Sequence, residues 1–363
     1  MGPRDKQKTP ATGFSAPTLS LVEYVKIATG QSFGARKDGI RGPRLRKGRM
    51  NRVLLYNGCF NPPHHGHLAH LIHAYRYAGG FDSLGDSGSG HSTAAKNNDD
   101  GGGDGSSGSR SEDAVIGAII LVAPDVYLSY KFPTHKKNLH LPENQRIELW
   151  ETALSHPQVN AREWCAVIPE SDWMTVESEL EDLCAGDGVQ VEYVRLAGGD
   201  KVSRRLVEHG AWGCVVTVTA DVSRGVDFCE RDGDGYRLHR IKGHGEWKRA
   251  VQDDDDDDGD TGEGKKKGRR DVWTCSHAKR RDRELLFVTS REDERVDPNV
   301  SSTEVRRIIS DVVSTSTTYA YTAQQTQDLL EKELSGVALS SELLARYIVE
   351  VPSFFVEKGW TSC

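Results

Sequence analysis

The run "AVIGAIILVAP" at 114–124 constrains the fold more tightly than any other stretch of this 363-residue chain. It holds no charged side chain and is nearly continuous in apolar residues. It reads as a strand covered on both faces, the condition met inside a parallel sheet. Parallel neighbours need crossover connections, and the chain supplies them. Strand-like runs at 52–56 ("RVLLY"), 189–200 ("VQVEYVRLAGGD"), 213–220 ("GCVVTVTA") and 283–290 ("RELLFVTS") alternate with helix-like segments. These segments lie at 65–78, 142–155 (entered through Pro142), 201–210 (closed by Gly210) and 301–310, with a late helix at 340–350.

The alternation predicts an α/β fold: a Rossmann-like parallel sheet with helices on both faces. In such sheets ligands bind beyond the carboxyl ends of the strands. Residues 50–363 are expected to form this domain. A tail over 1–49 precedes it and carries a short amphipathic helix within 18–30. Two insertions are expected to be disordered. At 81–113 Gly and Ser fill 16 of 33 positions, leaving too little apolar surface to offset the entropy of ordering. At 230–283 the opposed charge blocks of "DDDDDDGDTGEGKKKGRR" mark the second.

The formal net charge is −7, and the basic stretch at 36–52 is offset by the Asp run at 253–258. An overall basic footprint is absent, which argues against a nucleic-acid partner. The seven cysteines include no C-x-x-C pair, and no secretory signal precedes them. Free thiols in a reducing compartment, cytoplasm or nucleus, are expected. No apolar run approaches the ~18 residues a membrane span requires, so no membrane partner is expected.

The densest chemistry follows the first strand, in "YNGCFNPPHHGHLAH" at 56–70. Pro62 and Pro63 hold the backbone extended and delay the helix until His64 or His65. Gly66 leaves room for a ligand or a neighbouring strand. His64 and His67, three apart, share one side of the first helical turn. The free N–H groups of a helix start, with the positive end of its dipole, suit phosphate. The stretch supplies no carboxylate to complete a metal site. A second helix start, "NVSSTEVRRI" at 299–308, offers a capping box from Ser301 and Glu304 and places Arg306 within the first two turns.

The string Gly58, Phe60, Pro62, His64, Gly66, His67 resembles the G-x-F-x-P-x-H-x-G-H signature of the nucleotidyltransferase superfamily. With Ser302, Thr303 and Arg306 it looks like nicotinamide and nicotinate mononucleotide adenylyltransferases, whose second motif reads I-S-S-T-x-I-R. Cys59 stands where Ser is usual. The resemblance implies that Gly58, Cys59, Phe60, Gly66, Ser301, Ser302 and Thr303 bind ATP, with His64, His67 and Arg306 catalytic. It implies mononucleotide contacts from Lys136, Lys137, Arg146, Trp173, Gly198, Asp200 and Trp212. Magnesium would arrive on the ATP phosphates. The strand "CVVTVTADVSRG" lacks the Arg that usually follows it directly, and Arg224 is the candidate substitute. The alternatives are another nucleotidyltransferase with the same histidine loop, such as a cytidylyltransferase, and a non-catalytic nucleotide-binding scaffold.

Overall fold

The apolar runs form the strands of one sheet. The computed structural model describes residues 18–30, 42–78, 115–131, 139–207, 211–232, 235–250 and 271–350. In chain order α1 (Leu21–Ala28) precedes β1 (Met50–Gly58), α2 (His65–Tyr77), β2 (Val115–Val122), α3 (Asp125–Lys131), α4 (Glu143–Ser155) and β3 (Cys165–Pro169). Next come α5 (Trp173–Gly186), β4 (Gln190–Leu196), β5 (Val216–Ala220), β6 (Cys229–Asp232), β7 (Gly235–Leu238) and β8 (Lys248–Ala250). The chain closes with β9 (Val272–Ser276), β10 (Glu284–Val288), α6 (Ser302–Thr318), α7 (Ala323–Leu334) and α8 (Ser341–Glu350).

The main sheet has eight strands in the order β3-β2-β1-β4-β5-β10-β9-β8. The strands from β3 to β10 in that order pair parallel, and β9 and β8 add on antiparallel. This is the α/β, Rossmann-like sheet expected. Every residue of β2 is buried, because helices cover both faces. Leu54, Ala118, Ile120 and Val122 face a layer with Leu71 of α2 and Trp150 of α4. Val53, Leu55, Ile119 and Leu121 face Tyr24 of α1 and Leu180 of α5. Each such aliphatic burial contributes about 1.5–3 kcal/mol.

The helix at 18–30 docks on the sheet as expected. Ser20 Oγ accepts from the Glu23 N–H, and the Glu23 carboxylate accepts from the Ser20 N–H at 2.7 Å. Its Leu21 lies so close that a Cβ on Gly117 would meet Leu21 Cδ2 at 2.5 Å. At the other end of the molecule α6, α7 and α8 share an apolar cluster with Leu139, Leu141 and Leu149.

Two expectations are corrected. The helix over 201–210 is absent among its described residues, 201–207, which form turns and a bridge between Val202 and Val207. Tertiary contacts override the helical pattern there. Arg204 is drawn to Glu230 at 3.0 Å, its carbonyl accepts from the Lys242 N–H at 2.8 Å, and Val202 is buried beside Phe228. Nor is 230–283 a disordered block. Its described parts form β6, β7, β8 and β9. Phe228, Ile241 and Cys275 join Phe287 in a core of their own, which the charge blocks conceal from a compositional reading. The Asp run and the Gly/Ser insertion lie outside the described residues.

Candidate functional site

β1 lies between β2 and β4, so the chain leaves it in one direction and later returns on its other side. The crevice outside the carboxyl ends of β1 and β4 is therefore the topological switch point, where open α/β sheets bind ligands. A cleft of about 480 Å³ occupies that place. It is walled by the histidine loop, Gly198–Lys201 after β4, Ser223 and Arg224 after β5, and Ser302, Thr303 and Arg306 at the start of α6.

The histidine loop is anchored on all sides. Phe60, at φ 45°, wedges its ring edge-on against Trp150 and His67, with centroids 5.2 and 5.0 Å away. Gly58 is required beneath it, since a Cβ there would meet the Phe60 ring at 2.8 Å. The Asn61–Pro62 peptide is cis. The buried Asn61 amide donates to the Leu139 carbonyl and accepts from the Leu141 N–H at 3.0 Å.

His64 is the extended N-cap of α2, and its ring lies 3.6 Å from that of His67. The His64 backbone N–H donates to His67 Nδ1 at 3.3 Å, which leaves His67 Nε2 to carry the ring proton as a donor. His64 is 3 % exposed, and its Nδ1 has no hydrogen-bond partner. Burial lowers His64 to about 3, helped by the positive charge of Arg224. Burial, then His64 and Arg224, lowers His67 well below the usual imidazole range. Both rings are neutral at neutral pH. The positive charge of the cleft comes instead from Arg224, Arg306, Lys131 and Lys201.

The second helix start meets the loop directly, across 240 positions of sequence. Ser302 Oγ donates to the Pro62 carbonyl at 2.9 Å, and Arg306 donates to the Asn61 carbonyl at 2.9 Å. Arg306 also reaches Thr303 Oγ1 at 3.1 Å. Ser301 caps α6 by accepting from the Glu304 N–H at 3.1 Å. Only this half of the expected capping box forms, because the Glu304 carboxylate turns to Arg307 at 2.6 Å.

Gly198 and Asp200 line the cleft, with Gly199 between them. Other expected mononucleotide contacts are elsewhere. Arg146 is fully buried and donates to the carbonyls of Leu141, Cys59 and Ala123 and to the Asp125 carboxylate. It ties the ends of β1 and β2 together and offers a ligand nothing. Trp173 is fully buried in the core on the α1–α5 face, edge-on to Tyr193 at 5.1 Å, with no ring face free for stacking. Trp212, at φ 50°, packs against that same core and does not line the cleft. Lys136 and Lys137 lie outside the described residues.

The structure places one side chain that the sequence offered only as a substitute, and adds one that sequence reasoning passed over. Arg224 lines the cleft, and its positive charge acts on His64 and His67 there. His70, 1 % exposed, also lines it. The signal for His70 was the unbroken three-residue spacing of His64, His67, His70 and His73 along α2. Among the described residues no group of three or more His, Cys, Asp or Glu side chains is arranged to hold a metal ion. No helix among them is long and apolar enough to cross a membrane. No protein-family model matches the chain, and no curated protein matches it.

Proposed function

We propose that the protein is a nicotinamide or nicotinate mononucleotide adenylyltransferase. It would transfer AMP from ATP to the mononucleotide 5′-phosphate, giving a dinucleotide and pyrophosphate. The observation that carries this reading is the union of the histidine loop with the α6 start, through Ser302–Pro62 and Arg306–Asn61, at the switch-point cleft.

The chemistry asks little of the protein beyond placement. The attacking phosphate oxygen is already ionised at neutral pH, so no general base and no activated nucleophile are needed. What remains is to align two anions and to offset the charge that builds on departing pyrophosphate. Neutral His64 and His67 supply ring N–H donors, and Arg306 with Arg224 supplies fixed positive charge. Magnesium enters as part of the substrate, MgATP, held by phosphate oxygens. Asp200, which lines the cleft after β4, would accept from a sugar hydroxyl.

The test is incubation of purified protein with MgATP and nicotinamide or nicotinate mononucleotide, with chromatography for dinucleotide and an assay for pyrophosphate. Equimolar dinucleotide and pyrophosphate are expected. ATP binding or hydrolysis without dinucleotide would replace this reading with that of a nucleotide-binding scaffold, and CTP-dependent turnover with that of a cytidylyltransferase.

A further inference from the structure

β6 and β7, which lie between β5 and β10 in the chain, form a two-stranded sheet of their own. A lone hairpin is marginally stable in water, so it needs anchors. Cys229 and Leu238 pack on the core around Phe228. The second anchor is polar and comes from the facing pair Arg231 and Tyr236. Both donate to the Ser290 carbonyl, the Tyr236 hydroxyl at 2.6 Å. Arg231 also reaches the carboxylates of Asp221 at 3.3 Å and Glu292 at 3.1 Å.

Asp221 is the centre of this contact. It is 4 % exposed and follows the last residue of β5, while Ser290 lies just beyond β10, the neighbouring strand. One carboxylate oxygen accepts from the Ser290 N–H at 2.8 Å and from the Ser290 hydroxyl at 2.7 Å. The other accepts from Arg231 and Arg295. Four donors thus converge on one buried charge, which would be costly without them.

This clamp holds a wall of the cleft. Val222 is buried, and its carbonyl accepts from the Val296 N–H at 3.0 Å. Ser223 lies against α2, where a Cβ on Gly66 would stand 3.5 Å from Ser223 Cβ. Val226 lies against the turn after β4, where a Cβ on Gly199 would meet Val226 Cγ1 at 3.0 Å. Arg224 sits between these fixed points, and its charge acts on His64 and His67 in the cleft. Asp221 and Arg231 do not themselves line the cleft, so any influence they have on a ligand runs through the loop.

We infer that Asp221 is a positioning residue: with Arg231 and Arg295 it fixes the loop through Ser223 and sets where the Arg224 guanidinium stands, so the β6–β7 hairpin takes part in placing a phosphate-binding charge. That this phosphate belongs to ATP rests on the function proposed above. Asp221→Asn tests the clamp selectively. Its amide oxygen still accepts from Ser290, but its amide N–H groups face two guanidinium groups and push them away.

The experiment measures binding of sodium tripolyphosphate and of ATP to the full-length protein by calorimetry, for Asp221→Asn, Arg224→Met and the double variant, with melting followed alongside. Each single change is expected to weaken tripolyphosphate binding about tenfold. The double variant should bind no more weakly than Arg224→Met alone, because Asp221 acts through that arginine. Arg231→Met leaves Asp221 its bonds to Ser290 and Arg295. It should show the same dependence on Arg224 with a smaller loss, and it decides the matter if Asp221→Asn melts below the assay temperature. Additive losses in the double variant would overturn the inference, since a general loosening of the fold does not depend on Arg224. So would wild-type affinity in folded Asp221→Asn or in Arg231→Met. Coupled losses without dinucleotide synthesis would sink the adenylyltransferase reading alone. Dinucleotide synthesis by the wild type, with uncoupled losses in the variants, would sink this inference alone, and a wild type that binds neither anion would sink both.

Discussion

At the scale of single residues, identity decides function less than direction does. Two arginines expected at the site have opposite fates: Arg306 lines the cleft, whereas Arg146 is folded inward against three carbonyls. Arg146→Met would leave those carbonyls without their donor and should cost about 3 kcal/mol, read as a lower melting temperature. A variant of unchanged stability with a raised KM for mononucleotide alone would restore Arg146 as a ligand contact. His67 gives the contrary expectation. It has Nε2 as its ring donor, so His67→Ala should stay folded, with melting lowered by the lost ring packing, yet lose turnover by about 2.7–4 kcal/mol of barrier, if it acts like an oxyanion-hole donor. Wild-type turnover in that variant would remove His67 from the mechanism.

At the scale of elements, the two helix starts are where local sequence and site coincide. Ser301 is an ordinary N-cap, and Ser301→Ala should destabilise by about 1 kcal/mol in denaturant melts. Gly66 is different. A Cβ there would meet His64 Cε1 and Nδ1 at 3.0 Å, so alanine must displace that ring. Alanine is also the better helix former, by roughly 1 kcal/mol. Gly66→Ala is therefore expected to hold or raise the melting temperature while weakening ATP binding about tenfold, near 1.4 kcal/mol by calorimetry. Unchanged affinity would show that the cleft tolerates a moved His64.

At the scale of the whole molecule, burying neutral histidines couples stability to pH. His70 is lowered to about 4 by burial, against an ordinary 6.5. Its unfolded form takes up a proton that the folded form refuses, so its neutral burial is harmless above pH 6.5. Stability then falls with pH between about 6.5 and 4, by 1.36 kcal/mol per unit, or about 3 kcal/mol in all for this one group. His70→Phe keeps an aromatic ring beside Tyr56 and should flatten the fall of melting temperature across that window. An unaltered profile would mean that other groups govern acid sensitivity.

The strand–loop–helix at 50–77, the doubly covered β2 and the capped start of α6 were legible in the sequence, because each follows from local periodicity and backbone stereochemistry. So was the place of the cleft, at the carboxyl edge of the sheet. Tertiary structure alone decided that β6 to β9 order around Phe228 and Phe287, that 201–207 forgoes a helix for ties to Asp227 and Glu230, and that Trp173 faces the core. The reason is physical: period and capping are properties of neighbours in the chain. Which buried group satisfies which partner is settled only when segments as far apart as Pro62 and Ser302 are packed against one another.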